Sequence, residues 1–315
     1  MSGGKEEVVQ VAPVPPWIGD KLAANFTVHR LWEAADPEAL VAEVAPRIRG
    51  IATIGQVGAK RDLIEKLPRL EIISCFAVGV DAVDLGYCRE KGIIVTNTPD
   101  VLTDCVADLG MGLVIAIARR IVEGDRYVRA GRWLQGDLTY GSALKGKTLG
   151  IVGLGRIGQE LADRAEAFKM TIAYHNRHRK DGVQYPYYPD AVSLAEASDF
   201  LALTCPGGQA THHLVNEAVL KALGPKGFLI NIARGSVVDE PALVRALQDG
   251  TIAGAALDVF EAEPRVPEAL FALDNVIVQP HQASATMETR TAMGDLMIEN
   301  LVRHLSGRDV LTRVV

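Results

Sequence analysis

Three glycines in the middle of the chain constrain its fold more tightly than anything else in it. An apolar run, Leu149-Gly150-Ile151-Val152, leads into Gly153-Leu154-Gly155-Arg156-Ile157-Gly158, and Ile157, Leu161, Ala162, Ala165 and Phe168 then recur at helical spacing. A strand, a tight turn and a helix satisfy this pattern. The first glycine permits the turn, the second lets the backbone approach a pyrophosphate, and the third lets helix and strand pack closely. The helix opening near Arg156 presents unpaired N–H groups and the positive end of its dipole to phosphates. Alone, the glycine spacing is a weak signal, because glycines also serve ordinary strand–helix turns. Set between a strand and a helix, it reads as the first turn of a dinucleotide-binding sheet.

The fingerprint begins near residue 150 of 315, so a stretch of domain size precedes it. That stretch holds short apolar runs at 50–54, 70–74 and 93–97, separated by helix-like segments. This alternation builds a parallel sheet. After the glycines, further strands are expected at 171–175, 200–204, 228–232, 255–258 and 276–279, which with 149–152 complete a dinucleotide-binding sheet. A helix is expected over 239–247, ended by Gly250, and another over 288–305. The long helical pattern after Thr103 is expected to cross between domains.

Where an NAD site places a carboxylate for the ribose 2′-OH, about twenty residues past the glycines, the chain reads Asn176-Arg177-His178-Arg179-Lys180. A carboxylate there would repel a 2′-phosphate, whereas arginine offers a planar fork of donors to phosphate oxygens. NADP(H) is therefore the expected cofactor; the plain alternative is a solvated basic loop.

Composition removes other classes. Hydrophobic residues make up 48% and charged residues 23%, ordinary for a soluble globular chain, and the net charge of −6 argues against a nucleic-acid partner. Cys75, Cys88, Cys105 and Cys205 are scattered without metal-ligand spacing. That disfavours a structural zinc or a disulfide framework and suits a reducing compartment. The first seven residues lack the apolar stretch of a signal peptide, and the most apolar segment, 106–121, carries Asp108, Arg119 and Arg120 and is too short to span a membrane. A cytoplasmic protein without metal, membrane or nucleic-acid partner is expected.

Three chemical groups lie just beyond late strands, where open α/β sheets place their ligands. Arg234-Gly235 follows 228–232, Asp258 to Pro264 follows 255–258, and Pro280-His281 follows the last strand. Arginine can hold a carboxylate with two parallel hydrogen bonds. An imidazole can protonate a carbonyl oxygen as hydride reaches the carbon, and a carboxylate on its other nitrogen fixes the ring. Each has a bland alternative: a surface ion pair for Arg234, a hydrogen-bonded loop histidine for His281, and a solvated acidic face for Glu263 beside Glu261 and Glu268. Their shared position at successive strand ends favours the chemical reading.

With Phe76-Ala77-Val78-Gly79-Val80-Asp81, Asn97-Thr98-Pro99-Asp100-Val101-Leu102-Thr103, and the stretches 152–158, 230–239, 257–264 and 280–281, the chain from about residue 50 onward resembles the D-isomer-specific 2-hydroxyacid dehydrogenase family. Asp100 to Thr103, Glu217-Ala218-Val219-Leu220 and Leu311-Thr312-Arg313-Val314-Val315 are most similar to its glyoxylate/hydroxypyruvate reductase branch. The resemblance implies an α/β protein of two Rossmann-like domains, each a doubly wound parallel sheet, with a cleft between them. Residues 1–98 with 288–315 would form a discontinuous substrate domain, and 99–287 the NADP(H)-binding domain. It implies a catalytic Arg234, Glu263 and His281, and substrate binding by Arg234, His281 and the backbone N–H groups of Val78 and Gly79. Asp258 would lie near the nicotinamide amide. Thr103, the loop residues Gly153, Leu154, Gly155, Arg156, Ile157 and Gly158, then Asn176, Arg177, His178 and Arg179, and Cys205, Pro206, Thr211, Ile232, Ala233, Asp258, His281 and Ala283 would line the cofactor. Members of the family are usually homodimers paired through the cofactor domains and an arm near 127–140. Trp133 in that arm is either a pocket wall or a structural tryptophan. One departure stands out: Gln282-Ala283 follows the histidine where the family commonly has an apolar residue and glycine.

The expected activity is NADPH-dependent reduction of small 2-oxo acids, glyoxylate to glycolate and hydroxypyruvate to D-glycerate, with His281 as proton donor. The alternatives are an NAD-linked dehydrogenase of hydroxyphenylpyruvate or phosphoglycerate type and, from another class, a dinucleotide-sensing corepressor-like protein.

Overall fold

Short apolar runs between breakers become strands throughout the computed structural model, which describes residues 5–315. The described residues form two compact units. One holds the chain through Leu102 together with Ala285–Val315, and the other is Thr103–Ser284. The chain passes between them at 102/103 and 284/285, beside the 98/99 and 287/288 expected from the sequence.

The first unit begins with β1 (Glu7–Gln10), α1 (Pro16–Asn25), β2 (Thr27–Arg30), α2 (Pro37–Val44) and β3 (Gly50–Ile54). It continues through α3 (Arg61–Glu65), β4 (Ile72–Phe76), α4 (Leu85–Lys91) and β5 (Ile94–Thr96). The strands pair in parallel in the order β2-β1-β3-β4-β5. Two of them, β1 and β2, were not expected from the sequence. Asp36 and Asp84 cap α2 and α4 by accepting the N–H of Ala39 and Tyr87, satisfying donors that a helix start leaves open.

The second unit opens with α5 (Thr103–Ala118) and α6 (Ile121–Arg129), followed by β6 (Thr148–Val152), α7 (Arg156–Ala167), β7 (Thr171–His175), α8 (Ala191–Glu196) and β8 (Phe200–Leu203). Then come α9 (Glu217–Leu223), β9 (Phe228–Asn231), α10 (Glu240–Gln248), β10 (Gly254–Leu257) and β11 (Val276–Val278). The sheet order is β11-β10-β9-β8-β6-β7, again parallel. Helix α5, expected to cross between domains, packs on α7, β9 and β10 and so belongs to this unit. Leu201, Leu220, Leu229, Val237, Leu243 and Ala255 join strands and helices in its core.

The last helix, α11 (Met287–Leu305), returns to the first unit and packs on α1, β3 and β4. There Ser74 Oγ donates to the Met297 carbonyl at 2.9 Å, and a Cβ at Gly294 would lie 2.3 Å from Ile18 Cδ1. Glycine is what lets the two helices approach. No helix among the described residues is long and apolar enough to cross a membrane.

Candidate active site

Strand order in the second unit reverses beside β6: β7 lies on one side of it and β8 on the other. Ligands bind open α/β sheets at such a switch point, outside the carboxyl ends of the strands. The glycine loop leaves β6 there. Gly153 has φ +100°, and a Cβ on it would sit 2.5 Å from the Cys205 nitrogen beyond β8; a Cβ on Gly158 would meet the Gly153 carbonyl oxygen at 2.6 Å. Packing demands both glycines. A Cβ on Gly155 would meet nothing nearer than 4.0 Å, so the protein's own packing does not require that glycine, while a phosphate approaching the start of α7 would. Thr204 Oγ1 donates to the Gly153 carbonyl at 2.7 Å and fixes the turn.

The segment after β7 divides in two. Asn176 Oδ1 accepts the Leu154 N–H at 2.7 Å, so this side chain braces the glycine loop. Arg177, His178 and Arg179 are exposed, and none has a hydrogen bond or ion pair among the described residues. Their charges can therefore meet a 2′-phosphate. With the open face of Gly155 and the α7 N-terminus, these residues fit a phosphorylated dinucleotide. Beyond β8, Cys205 is buried and burial pushes its thiol up to about 11, which keeps it protonated and unreactive. Thr211 Oγ1 donates to the Pro206 carbonyl at 2.7 Å, folding the 205–211 loop on itself. Ile232 and Ala233 are buried after β9.

Arg234, Asp258, Glu263 and His281 come together in this unit. Arg234 precedes a 3-10 turn, Gly235–Val237, and its Nη1 donates to the Ala233 carbonyl at 2.7 Å. A Cβ on Gly235 would lie 1.8 Å from the Phe260 carbonyl carbon, so glycine alone lets the strand ends after β9 and β10 approach. Asn231 is buried at the end of β9; its side chain donates to the Arg234 carbonyl and accepts the Ala233 N–H, both at 3.0 Å. The sequence reading passed over this residue, although a polar side chain inside a buried strand was its visible signal.

His281 Nδ1 lies 2.8 Å from Glu263 Oε2, and Glu263 Oε1 accepts the Phe260 N–H at 3.1 Å. Burial pushes the Glu263 carboxyl up, but its hydrogen bond and charge interaction with His281, the Phe260 N–H and the Arg234 charge outweigh that and hold it below the ordinary range. The peptide between Glu263 and Pro264 is cis. His281 has a left-handed backbone, φ +55°, a conformation that costs a residue other than glycine roughly 1–3 kcal/mol. Asp258 enforces it. The Asp258 carbonyl accepts the His281 N–H at 2.8 Å, while its fully buried carboxylate accepts the N–H groups of Gln282 at 2.6 Å and Ala283 at 2.9 Å. Burial pushes the Asp258 carboxyl above its ordinary range, although those two N–H groups draw it down. The Gln282 side chain is exposed and donates to the Pro280 carbonyl at 3.3 Å.

Thr103 begins α5. In the first unit, Val78 and Gly79 follow β4; the Val78 carbonyl accepts from Asn97 Nδ2 at 2.8 Å and the Gly79 carbonyl from Cys75 Sγ at 3.8 Å.

Residues 111–283 match the family model described as D-isomer specific 2-hydroxyacid dehydrogenase, NAD binding domain. Over 308 residues the chain is 49% identical to the glyoxylate/hydroxypyruvate reductase A of Arabidopsis thaliana, covering 98% of each. It is also 49% identical over 308 residues to the hydroxyphenylpyruvate reductase of Plectranthus scutellarioides, again with 98% of each covered. Among solved structures, an NADPH-dependent glyoxylate/hydroxypyruvate reductase from Sinorhizobium meliloti, in complex with NADP and malonate, superposes with a TM-score of 0.93. It is 44% identical, covering 99% of this chain and 97% of that one.

Proposed function

The chain belongs to the D-isomer specific 2-hydroxyacid dehydrogenase family, and we propose that it is an NADPH-dependent reductase of small 2-oxo acids, converting glyoxylate to glycolate and hydroxypyruvate to D-glycerate. The observation that carries this reading is the His281–Glu263 pair, 2.8 Å apart, in a unit where Arg234 bears on the same carboxylate. NADPH, when bound, supplies the hydride.

The residues do the rest. Glu263 holds His281 by Nδ1, so the proton for the substrate's carbonyl oxygen comes from Nε2. Arg234 binds the substrate carboxylate and polarises the adjacent carbonyl. Asp258 keeps the histidine loop in its strained shape. Arg177, His178 and Arg179 select the phosphorylated cofactor. We place the enzyme in the cytoplasm, in keeping with four cysteines that form no disulfide among the described residues, and as a homodimer. Reduction of hydroxyphenylpyruvate is the second reading, since the Plectranthus enzyme of that name is as similar as the Arabidopsis one.

Steady-state NADPH oxidation tests the proposal, with glyoxylate, hydroxypyruvate and hydroxyphenylpyruvate compared under NADPH and NADH. Arg234→Ala should chiefly raise KM for the 2-oxo acid, by about 10- to 100-fold for a lost charged hydrogen-bond pair. His281→Ala should chiefly lower kcat, by about 10² to 10⁴. Unchanged kinetics in both variants would sink the assignment.

A further inference from the structure

Apart from the His281–Glu263 pair, a second group of imidazoles faces a carboxylate in the same unit. His212 and His213 follow a 3-10 turn, Gln209–Thr211, with their rings stacked and centroids 3.9 Å apart. His213 Nε2 lies 3.1 Å and His212 Nε2 3.7 Å from one and the same oxygen, Glu261 Oε1. One ligand atom from each residue falls within a common radius, all lying within 4.8 Å of one another. We propose that His212, His213 and Glu261 form a binding site for one divalent transition-metal ion of the zinc class.

One hydrogen bond, between His213 Nε2 and Glu261 Oε1, leaves the His212 nitrogen 3.7 Å from the same oxygen. A metal would use all three donors once the two rings turn apart from their stack, because a metal lies in the plane of each imidazole it binds. Zinc binds nitrogen and oxygen at about 2.0–2.2 Å in a tetrahedral shell, which sets donor atoms about 3.3–3.5 Å apart. The two nitrogen–oxygen distances bracket that spacing. Two imidazoles with one carboxylate suit zinc, cobalt, nickel or copper; magnesium and calcium require oxygen shells.

The surroundings favour a cation. Glu261 donates its backbone N–H to Glu240 Oε1 at 2.8 Å, and the negative charges of Glu261 and Glu263 both act on Glu240. The His213 N–H donates to the Ser236 carbonyl at 2.8 Å, which anchors the histidine segment to the turn after Arg234. The side chains of His212, His213 and Glu261 are between 35% and 47% exposed, so an ion can enter from solvent. Three protein ligands leave a fourth position for water. The ion would tie the loop after β8 to the loop after β10.

The test uses the full-length, untagged protein stripped with a chelator. Zn²⁺ is titrated by calorimetry, and Co²⁺ by visible absorption, where d–d bands report nitrogen and oxygen coordination. One ion per chain is expected, with affinity at least about tenfold weaker in His212→Ala and in Glu261→Ala, since loss of even an outer partner costs that much. Circular dichroism verifies that both variants fold, and both side chains are exposed enough to be removed without disturbing the core. His281→Ala should keep the affinity. The proposal is overturned by the absence of saturable binding, by affinities unchanged in His212→Ala and Glu261→Ala, or by binding lost in His281→Ala, which would put the ion at the catalytic pair.

Discussion

Asp258 does more for the active site than its distance along the chain from His281 suggests. Both oxygens of a fully buried carboxylate are spent on two successive N–H groups, and its own carbonyl takes a third. Those bonds hold His281 at φ +55°. In Asp258→Asn the amide can accept one N–H but turns a donor toward the other, and an unmatched buried donor costs about 1–3 kcal/mol. The expected outcome is a lower Tm and a loss of kcat with little change in NADPH affinity, read by calorimetry and steady-state kinetics. Glu263 makes a different prediction. Its folded carboxyl is held below the ordinary range, so the stabilisation from its ionised form is fully present above the unfolded carboxylate pKa and is lost as pH falls through the depressed value. Glu263→Gln removes that dependence. Denaturation of both proteins across the acid range should show their stabilities converging as pH falls, and a constant gap would refute the pairing.

Single elements show why some of this was legible in sequence and some was not. Strands β6, β8, β9 and β10 are apolar runs buried on both faces, so periodicity and breakers announce them. Strand β2, Thr27–Arg30, is a partly exposed edge strand ending in His29 and Arg30, and its burial pattern carries no apolar run. Its neighbour β1 is interior but brackets two valines with Glu7 and Gln10; Gln10 is buried with its amide turned to the Ala12 carbonyl. A polar residue that makes a local bond looks like loop in sequence. The same holds at the site. Arg234, Glu263 and His281 stand just past strand ends, where the sequence points to them, whereas Asn176 braces a loop 22 residues away that only the fold brings near. Asn231 acts on the adjoining Ala233 and Arg234, its one signal being a polar residue inside an apolar strand. The segment after β7 carries its own test. With Asn176 committed to Leu154, the proposed discrimination between cofactors rests on the exposed Arg177, His178 and Arg179. Arg177→Ala combined with Arg179→Ala should raise KM for NADPH by about 10- to 100-fold, the worth of charged hydrogen bonds to phosphate, and leave KM for NADH nearly unchanged. An equal rise for both cofactors would place those arginines elsewhere than at the 2′-phosphate.

At the scale of the whole molecule, helix α6 and the segment after it carry exposed apolar side chains that bear on the proposed homodimer. Helix α6 has no buried residue, yet Ile121 and Val128 stand on it more than half exposed. Beyond it, Trp133 is 64%, Leu134 95% and Tyr140 98% exposed. Isolated apolar side chains on a surface are ordinary, but this many along one segment mark an interaction site. Beside it in the same unit lies a cavity of about 310 Å³ lined by Ile117, Arg120, Tyr140, Phe228 and Ile277, among others. The resemblance to the family implies pairing of cofactor domains through an arm near 127–140, and the proposed occupant of this surface is accordingly a second copy of this chain. Each apolar square ångström withdrawn from water contributes about 25 cal/mol, and isologous pairing counts every side chain twice. Val128→Glu with Leu134→Glu would place four carboxylates in that interface, two from each copy, where unpaired charge is costly. Sedimentation velocity should show a dimer for the unaltered chain and a monomer for the double variant, with the far-ultraviolet spectrum unchanged because neither side chain is buried in the single chain. A chain that sediments as a monomer before any substitution would remove the homodimer from the proposed function while leaving the chemistry of the His281–Glu263 pair untouched.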